Sequence, residues 1–362
     1  MIAVFRSWFR RYFTDPEAVI LAILLLFGTL IILFMGKMLA PLLAAIVLAY
    51  LLEGPVTAME RYGIRRIIGV SLVFFLFLLL LFAFWFAVFP VLWSQITELV
   101  IALPSYIVQG QTVLLELPER YPFITEEQVR DVMGAIRTQV GDLGQTVVAL
   151  SLASVANLVT VLVYMVLVPF LIFFLLKDKS SILEWVSAYL PRQRALASRL
   201  WHDLDRQMGN YVRGKFWEIL IVGGISYLVF SLLGVDYALL LATLTGLSVL
   251  IPYVGAAAVT IPVALVGYFQ WGWGSEFAWL MIAYAIIQAI DGNILAPLLF
   301  SRVVNLHPVA IIVAILVFGG LWGFWGIFFA IPLATLVSAI LTSWPRTPEE
   351  EGPEVGDGRG GG

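Results

Sequence analysis

Residues 67–95 read IIGVSLVFFLFLLLLFAFWFAVFPVLWSQ, and no Asp, Glu, Lys or Arg interrupts them. A helix needs about 20 consecutive apolar residues to cross a hydrocarbon core of about 30 Å, and a charge at its centre costs about 3 kcal/mol. This run is long enough to span with tilt and overhang. The same scarcity of charge holds throughout the 362 residues, which are 61% hydrophobic and 12% charged, with a mean hydropathy of +0.98. Soluble domains carry about twice that share of charge. The chain therefore reads as an all-α, polytopic transmembrane helical bundle.

Further charge-free runs place the other spans. Residues 18–36 form a first span and 38–52 a second, separated only by Lys37, so a tight helical hairpin is expected there. Spans 1–3 thus occupy residues 18–95, span 4 residues 143–176, and a fifth, marginal span residues 219–235. A transport region with broken helices fills residues 216–345. The N-terminus does not read as a cleavable signal, because its apolar run is long and no small-residue cleavage site follows.

Lys and Arg in the loops assign sides. Arg6, Arg10 and Arg11 precede the first span, and Arg61, Arg65 and Arg66 follow the second, which puts both groups in the cytoplasm. Residues 96–142 are rich in acids and belong outside; residues 177–215 are rich in basic residues and belong inside. Both inserts read as amphipathic helices. Thr125 with Gln128, and Ser181 with Glu184, have capping-box spacing. Val129, Val132, Met133, Ile136, Val140 and Leu143 mark one apolar face, and Leu196, Leu200, Leu204 and Met208 another. The segment at 1–17 is cytoplasmic in this scheme, as is the tail at 346–362. That tail holds Glu349, Glu350, Glu351, Glu354 and Asp357 among Gly and Pro, and is too polar to order itself.

Several chemistries are excluded. Cysteine is absent, and with it disulfides, thiolate metal sites and thiol catalysis. His202 and His307 are too few for an imidazole metal centre, and no cofactor is expected. Without the tail the charge balances, so nothing points to nucleic acid. The Gly-rich phosphate loop of an ATPase is missing, as are His-Glu-x-x-His and Gly-x-Ser-x-Gly.

The last third is built differently from the first. Residues 237–275 are interrupted by Gly246, Pro252, Gly255 and Pro262, and the chain is expected to turn at Ile251-Pro252-Tyr253-Val254-Gly255. The arms on either side, 237–251 and 254–269, are about 22–24 Å long at 1.5 Å per residue, short for a bilayer. Residues 303–345 repeat the pattern, with Gly319, Gly320, Gly323 and Gly326 around Leu321-Trp322, and then Pro332. Two re-entrant hairpins entering from opposite faces would explain both, as in transporters built on discontinuous helices. Two pairs of full, kinked spans are the alternative. The hairpin reading expects the two tips to meet around a polar site near Asp291.

Asp291 is the one acid in an otherwise uncharged crossing at residues 277–300. An intramembrane carboxylate is by default a site hypothesis. Gly292 and Pro297 loosen the helix around it, and Gln288 and Asn293 are neutral ligands nearby. Asp291 pairing with Arg302, or capping a broken helix, is the structural alternative. The candidate substrate- or ion-binding residues are Asp291, Gln288, Asn293 and Pro297, with Pro252, Tyr253 and Gly255 at the first turn. Gly319, Gly320 and Gly323 are the candidate gating turns.

Gly234-Val-Asp-Tyr-Ala-Leu, Ile251-Pro-Tyr-Val-Gly255, Asp291-Gly-Asn-Ile-Leu-Ala-Pro297, Leu306-His-Pro308 and Gly319-Gly-Leu-Trp-Gly323 through Pro332 occur in that order. Over about residues 15–345 the chain resembles the autoinducer-2 exporter family, the PerM-like group of bacterial permeases. The resemblance implies a multi-pass inner-membrane transporter, homo-oligomeric and pentameric in form, with elevator-like movement. It implies a small polar solute such as autoinducer-2, or sodium/proton antiport, as the cargo. His307, inside the Leu-His-Pro motif, reads as structural. A non-transporting membrane scaffold is the competing class, in which Asp291 and the Pro-Tyr-Val-Gly turn matter for folding only. Sidedness has a direct check: a single cysteine at Arg130 is expected to react with an impermeant thiol reagent only from outside. Labelling from the cytoplasmic face alone would reverse the assigned sides.

Overall fold

A computed structural model describes residues 16–120, 134, 163–189, 195–300 and 307–343, and every regular element among them is helical. Helix α1 (Pro16–Arg61) runs without a break through Lys37. The hairpin expected there does not form. A helix reverses where a residue leaves αR, and the first to do so is Gly63, at φ +84°. Gly36 and Lys37 between apolar neighbours supply no such exit. Helix α2 (Arg66–Ala83), a π-bulge at Phe84–Val88 and α3 (Phe89–Arg120) follow as one rod. The charge-free run of residues 67–95 lies inside this rod, and the helix continues well past it instead of ending at a separate insert. Helix α4 (Val163–Lys177) covers the end of the expected fourth span. Residues 143–162, the Thr125–Gln128 pair and the whole apolar face at 129–143 lie outside the described residues.

Helix α5 (Lys179–Ala188) starts ahead of Ser181, so Ser181 lies within its first turn and does not cap it. Helix α6 (Ala195–Leu233) is continuous. The insert expected to end at 215 and the span expected to start at 219 share this one helix, whose apolar segment is Leu204–Leu233. Next come α7 (Ala238–Ser248), α8 (Val254–Trp271), α9 (Ser275–Ile290), a second π-bulge at Asp291–Leu295 and α10 (Ala296–Phe300). Helices α11 (Pro308–Trp322), α12 (Phe324–Phe328) and α13 (Ala330–Ser343) close the series. Among the described residues, 5 helices are long and apolar enough to cross a membrane.

The chain divides into two compact units. The larger comprises Ala40–Lys179 and Asn210–Val303. One end of it is tied by Arg66, whose guanidinium donates to Glu53 (3.1 Å), Glu60 (3.2 Å) and the Leu176 carbonyl (2.7 Å), joining α1, α2 and α4. Beside this clamp Ala45, Val56, Val70, Val73, Ile172 and Leu176 form an apolar core. A second core gathers Phe230, Leu241, Val259, Val263, Leu280 and Tyr284 from α6, α7, α8 and α9. The α6–α7 turn is held by side-chain amides. Gln270 accepts from the Asp236 N–H (2.9 Å) and donates to the Gly234 carbonyl (2.7 Å), while Gln95 of α3 accepts from the Leu240 N–H (2.8 Å) at the start of α7. These bonds satisfy backbone groups that a helix end leaves open.

Both broken segments do reverse. In the larger unit α7 folds back on α8. Val254 N–H donates to the Pro252 carbonyl at 2.7 Å across Tyr253, which sits at φ +64°. That is a γ-turn with a left-handed centre, a rare conformation costing about 1–3 kcal/mol for a residue with a side chain. Gly255 then packs so tightly that a Cβ would overlap the Ser248 carbonyl oxygen. The arms are unequal. Helix α7 has 11 residues and α8 has 18, about 16 and 27 Å, because the chain leaves α-helix at Ser248 while Pro262 is absorbed inside α8.

The smaller unit comprises Met1–Leu39, Ser180–Gly209 and Val304–Gly362. Its reversal repeats the device: Gly323 takes φ +59°, and a Cβ on Gly326 would overlap the Phe318 carbonyl. Here α11 packs against both α12 and α13. His307 caps α11, its Nδ1 accepting from the Val309 N–H at 3.3 Å, with Pro308 as the first helical residue. The structural role expected for His307 is this one. Gly255→Ala should therefore destabilise by about 1–3 kcal/mol or more through overpacking. Gly320→Ala, with nothing within 4 Å of its Cβ, should leave the protein as stable or slightly more so. Thermal unfolding of the two purified variants checks this; equal losses would contradict the close approach at Gly255.

Candidate functional site

Helix α6 carries Lys215 and Glu218 one turn apart, inside its apolar segment. Both are buried, with side chains 5% and 3% exposed, and Lys215 Nζ lies 2.6 Å from Glu218 Oε2. The same ammonium donates to the Val249 carbonyl at 2.7 Å. Val249 ends α7, where the break in the helix leaves carbonyls without an intrahelical donor. On a third side the ammonium lies 5.0 Å from the centre of the Phe300 ring, within cation–π range. An ammonium has three protons to donate, and here an anion, a freed carbonyl and a ring face surround it.

Small residues allow this approach. A Cβ on Gly246 of α7 would lie 2.8 Å from the Ile219 carbonyl oxygen and 3.0 Å from Gly223 Cα, so α6 and α7 cross at backbone distance. A Cβ on Gly214 would lie 2.7 Å from the Phe300 ring. Tyr211, also buried, has its ring 5.8 Å from that of Phe300.

The third partner comes from the α9–α10 rod. Ile287 packs with Val222 and Val249, and Leu295 joins the same cluster with Ile219. Phe300 lies farther along, against Gly214 and Lys215. Residues 287–300 therefore run antiparallel to α6, and Asp291 falls between these contacts, abreast of Glu218. Asp291 interacts electrostatically with both Lys215 and Glu218. It opens the π-bulge Asp291–Leu295, a feature that frequently marks functional sites. Its Oδ1 is buried with no hydrogen-bond partner, as is Nε2 of Gln288 one turn earlier.

The expected site residues separate into four groups. Asp291 lies beside the buried pair, and Gln288 sits one turn before it with a buried amide nitrogen. Gly255 supports the pair indirectly, by seating α8 against Ser248, next to Val249. Asn293 is exposed and donates to the Ala289 carbonyl of its own helix at 2.8 Å. That bond uses one amide N–H and leaves the carbonyl oxygen open. Pro297 and Tyr253 are exposed and Pro252 is half-buried in the turn. Gly319, Gly320 and Gly323 belong to the smaller unit, where Gly319 packs on Ile327 and Gly323 makes the turn. Lys215, Glu218, Tyr211 and Phe300 were not among the expected residues. The signal available was an i, i+3 pair of opposite charges at the edge of an apolar run.

Five helices long and apolar enough to cross a membrane, with a buried ion pair on one of them, define a polytopic α-helical membrane protein. The comparisons narrow this further. The chain matches the AI-2E family transporter over residues 21–346. It is 47% identical over 346 residues to a protein of Escherichia coli (strain K12) provisionally named permease PerM, covering 95% of this chain and 98% of that one. It is 29% identical over 322 residues to YueF of Bacillus subtilis (strain 168), provisionally named a transport protein, covering 87% and 86%. The chain belongs to the AI-2E family of membrane transporters, and its relatives are named as permeases and transport proteins rather than enzymes.

The buried pair makes an asymmetric prediction. Lys215→Met leaves Glu218 unpaired and frees the Val249 carbonyl, and should cost about 3–5 kcal/mol; Lys215→Met with Glu218→Leu removes both charges and should cost much less. Thermal unfolding in detergent reads the difference. A single variant no less stable than the double would place Lys215 in water.

Proposed function

We propose that this protein is a secondary transporter that moves a small polar solute or signal molecule across the bacterial inner membrane by alternating access, with autoinducer-2 as the leading candidate cargo. The observation that carries this reading is the Lys215–Glu218–Asp291 cluster. Burying two charges and half-burying a third between membrane helices is costly, and such groups mark substrate and ion pathways. The α7–α8 and α11–α12 reversals serve as re-entrant hairpins in this proposal, and their non-helical backbone requires protein or a water-filled cavity around it. Several copies of the chain, five by family resemblance, assemble in the membrane.

Sidedness rests on Arg61, Arg65 and Arg66, which face the cytoplasm by the positive-inside rule. Because α1 does not turn at Lys37, the N-terminus is no longer placed inside by the pairing of spans 1 and 2. The tail at 346–362 stays cytoplasmic in the proposal. Sodium/proton antiport is the second reading, and the partnerless Oδ1 of Asp291 favours it, since a carboxylate oxygen of that kind suits a cation or proton.

Flux in proteoliposomes tests both readings. Wild-type protein should move autoinducer-2, or exchange sodium for protons, and Asp291→Asn should reduce that flux at least tenfold while folding and assembling normally. A folded Asp291→Asn protein with unchanged flux and ion dependence would reduce Asp291 to a structural partner. Wild-type vesicles with no flux of solute, sodium or protons would favour the scaffold.

A further inference from the structure

The cluster contains two carboxylates and one ammonium. Among the described residues the other elements packed on it bring no charge of their own: α7 and α8 carry no Asp, Glu, Lys or Arg, Tyr211 on α6 and Phe300 on α10 complete the wall, and Arg213 of α6 donates elsewhere, to Asn210 and the Tyr50 carbonyl. With all three groups ionised, one negative charge has no partner among the described residues. The ammonium cannot supply the balance, because Glu218, Val249 and Phe300 already surround it. In a low-dielectric interior an unpaired carboxylate is driven to take up a proton or a cation. The Asp291 oxygen that lacks any partner marks where the deficit falls.

We infer that Glu218, Lys215 and Asp291 together form a binding site for a single positive charge, a proton or one monovalent alkali cation, with Lys215 as its fixed counter-charge. This deepens the transport reading and rests on it, because it names the residues where the coupling ion sits. Lys215 also gives the site a mechanical output. Its ammonium divides its protons between Glu218 and the end of α7, so an arriving cation that draws Glu218 away from Lys215 changes the hold on the α7–α8 reversal. Occupancy and hairpin position are linked through one side chain.

Charge counting makes the inference testable without transport. The full chain, purified into lipid nanodiscs, is examined at neutral pH by infrared difference spectroscopy for a protonated carboxyl group and by equilibrium binding of radioactive sodium. In sodium-free buffer one protonated carboxyl per chain is expected. If the ion is a proton alone, sodium leaves that band unchanged; if a cation competes, the band disappears as one sodium binds and one proton is released. Either Glu218→Gln or Asp291→Asn should abolish both the band and any sodium binding, since each leaves one carboxylate balanced by Lys215. Lys215→Met should add a second protonated carboxyl or a second cation.

A wild-type protein with neither a protonated carboxyl nor bound sodium would overturn the inference, as would a signal that survives in both carboxylate variants. Should one variant fail to fold, the other and the wild type still decide. A wild type that binds one charge as described but gives no flux in vesicles would fail the transport reading alone.

Discussion

A lysine ammonium inside a membrane helix must be answered on every side, and in this protein Lys215 is answered by three elements at once. Glu218 of α6 neutralises it, the Val249 carbonyl accepts from it, and the Phe300 ring faces it. Each contact fixes something else. The bond to Val249 satisfies a carbonyl released where α7 stops, which a break in a membrane helix requires. The Phe300 contact sets the register of residues 287–300 along α6, and that register brings Asp291 abreast of Glu218. The glycines at 214 and 246 are the steric condition for this arrangement, because a Cβ there would press on the Phe300 ring and on the α6 backbone.

The two reversals share a construction. In each, a left-handed residue turns the chain, and a glycine in the second arm lies directly on a carbonyl of the first: Gly255 on Ser248 and Gly326 on Phe318. They differ at the turning residue. Gly323 adopts φ +59° at no steric cost, whereas Tyr253 adopts φ +64° and is strained. The first reversal, whose turn lies four residues from Val249, is therefore the costlier of the two to form.

Much of this was legible in the sequence. Charge scarcity identified an all-α membrane protein, and the ordered motifs identified its family. Proline and glycine clusters located both reversals, and a lone acid in an apolar crossing located Asp291. What was missed has physical reasons. Lys215 was counted with the loop cations, because charge counting cannot distinguish a lysine in water from one paired with a glutamate a turn away. Asn293 donates one amide N–H to its own helix at Ala289, a local bond that composition does not reveal. The hairpin at Lys37 failed because a lysine between apolar residues does not end a helix; an αL exit does, and the first is Gly63. The π-bulges at Phe84–Val88 and Asp291–Leu295 leave no periodicity that a short window detects. The unequal arms of the first reversal depend on the Gly255–Ser248 contact, which is tertiary.

The central claim is that a buried ion pair on α6 holds the end of a broken helix beside Asp291. A high-resolution cryo-electron microscopy map of the full chain in lipid nanodiscs tests it most directly. The account predicts Lys215 Nζ within hydrogen-bond distance of both Glu218 and the Val249 carbonyl, at membrane depth, with the Asp291 carboxylate on the same side. A map with Lys215 turned to the aqueous phase or the lipid headgroups, and α7 ending without it, would contradict the account.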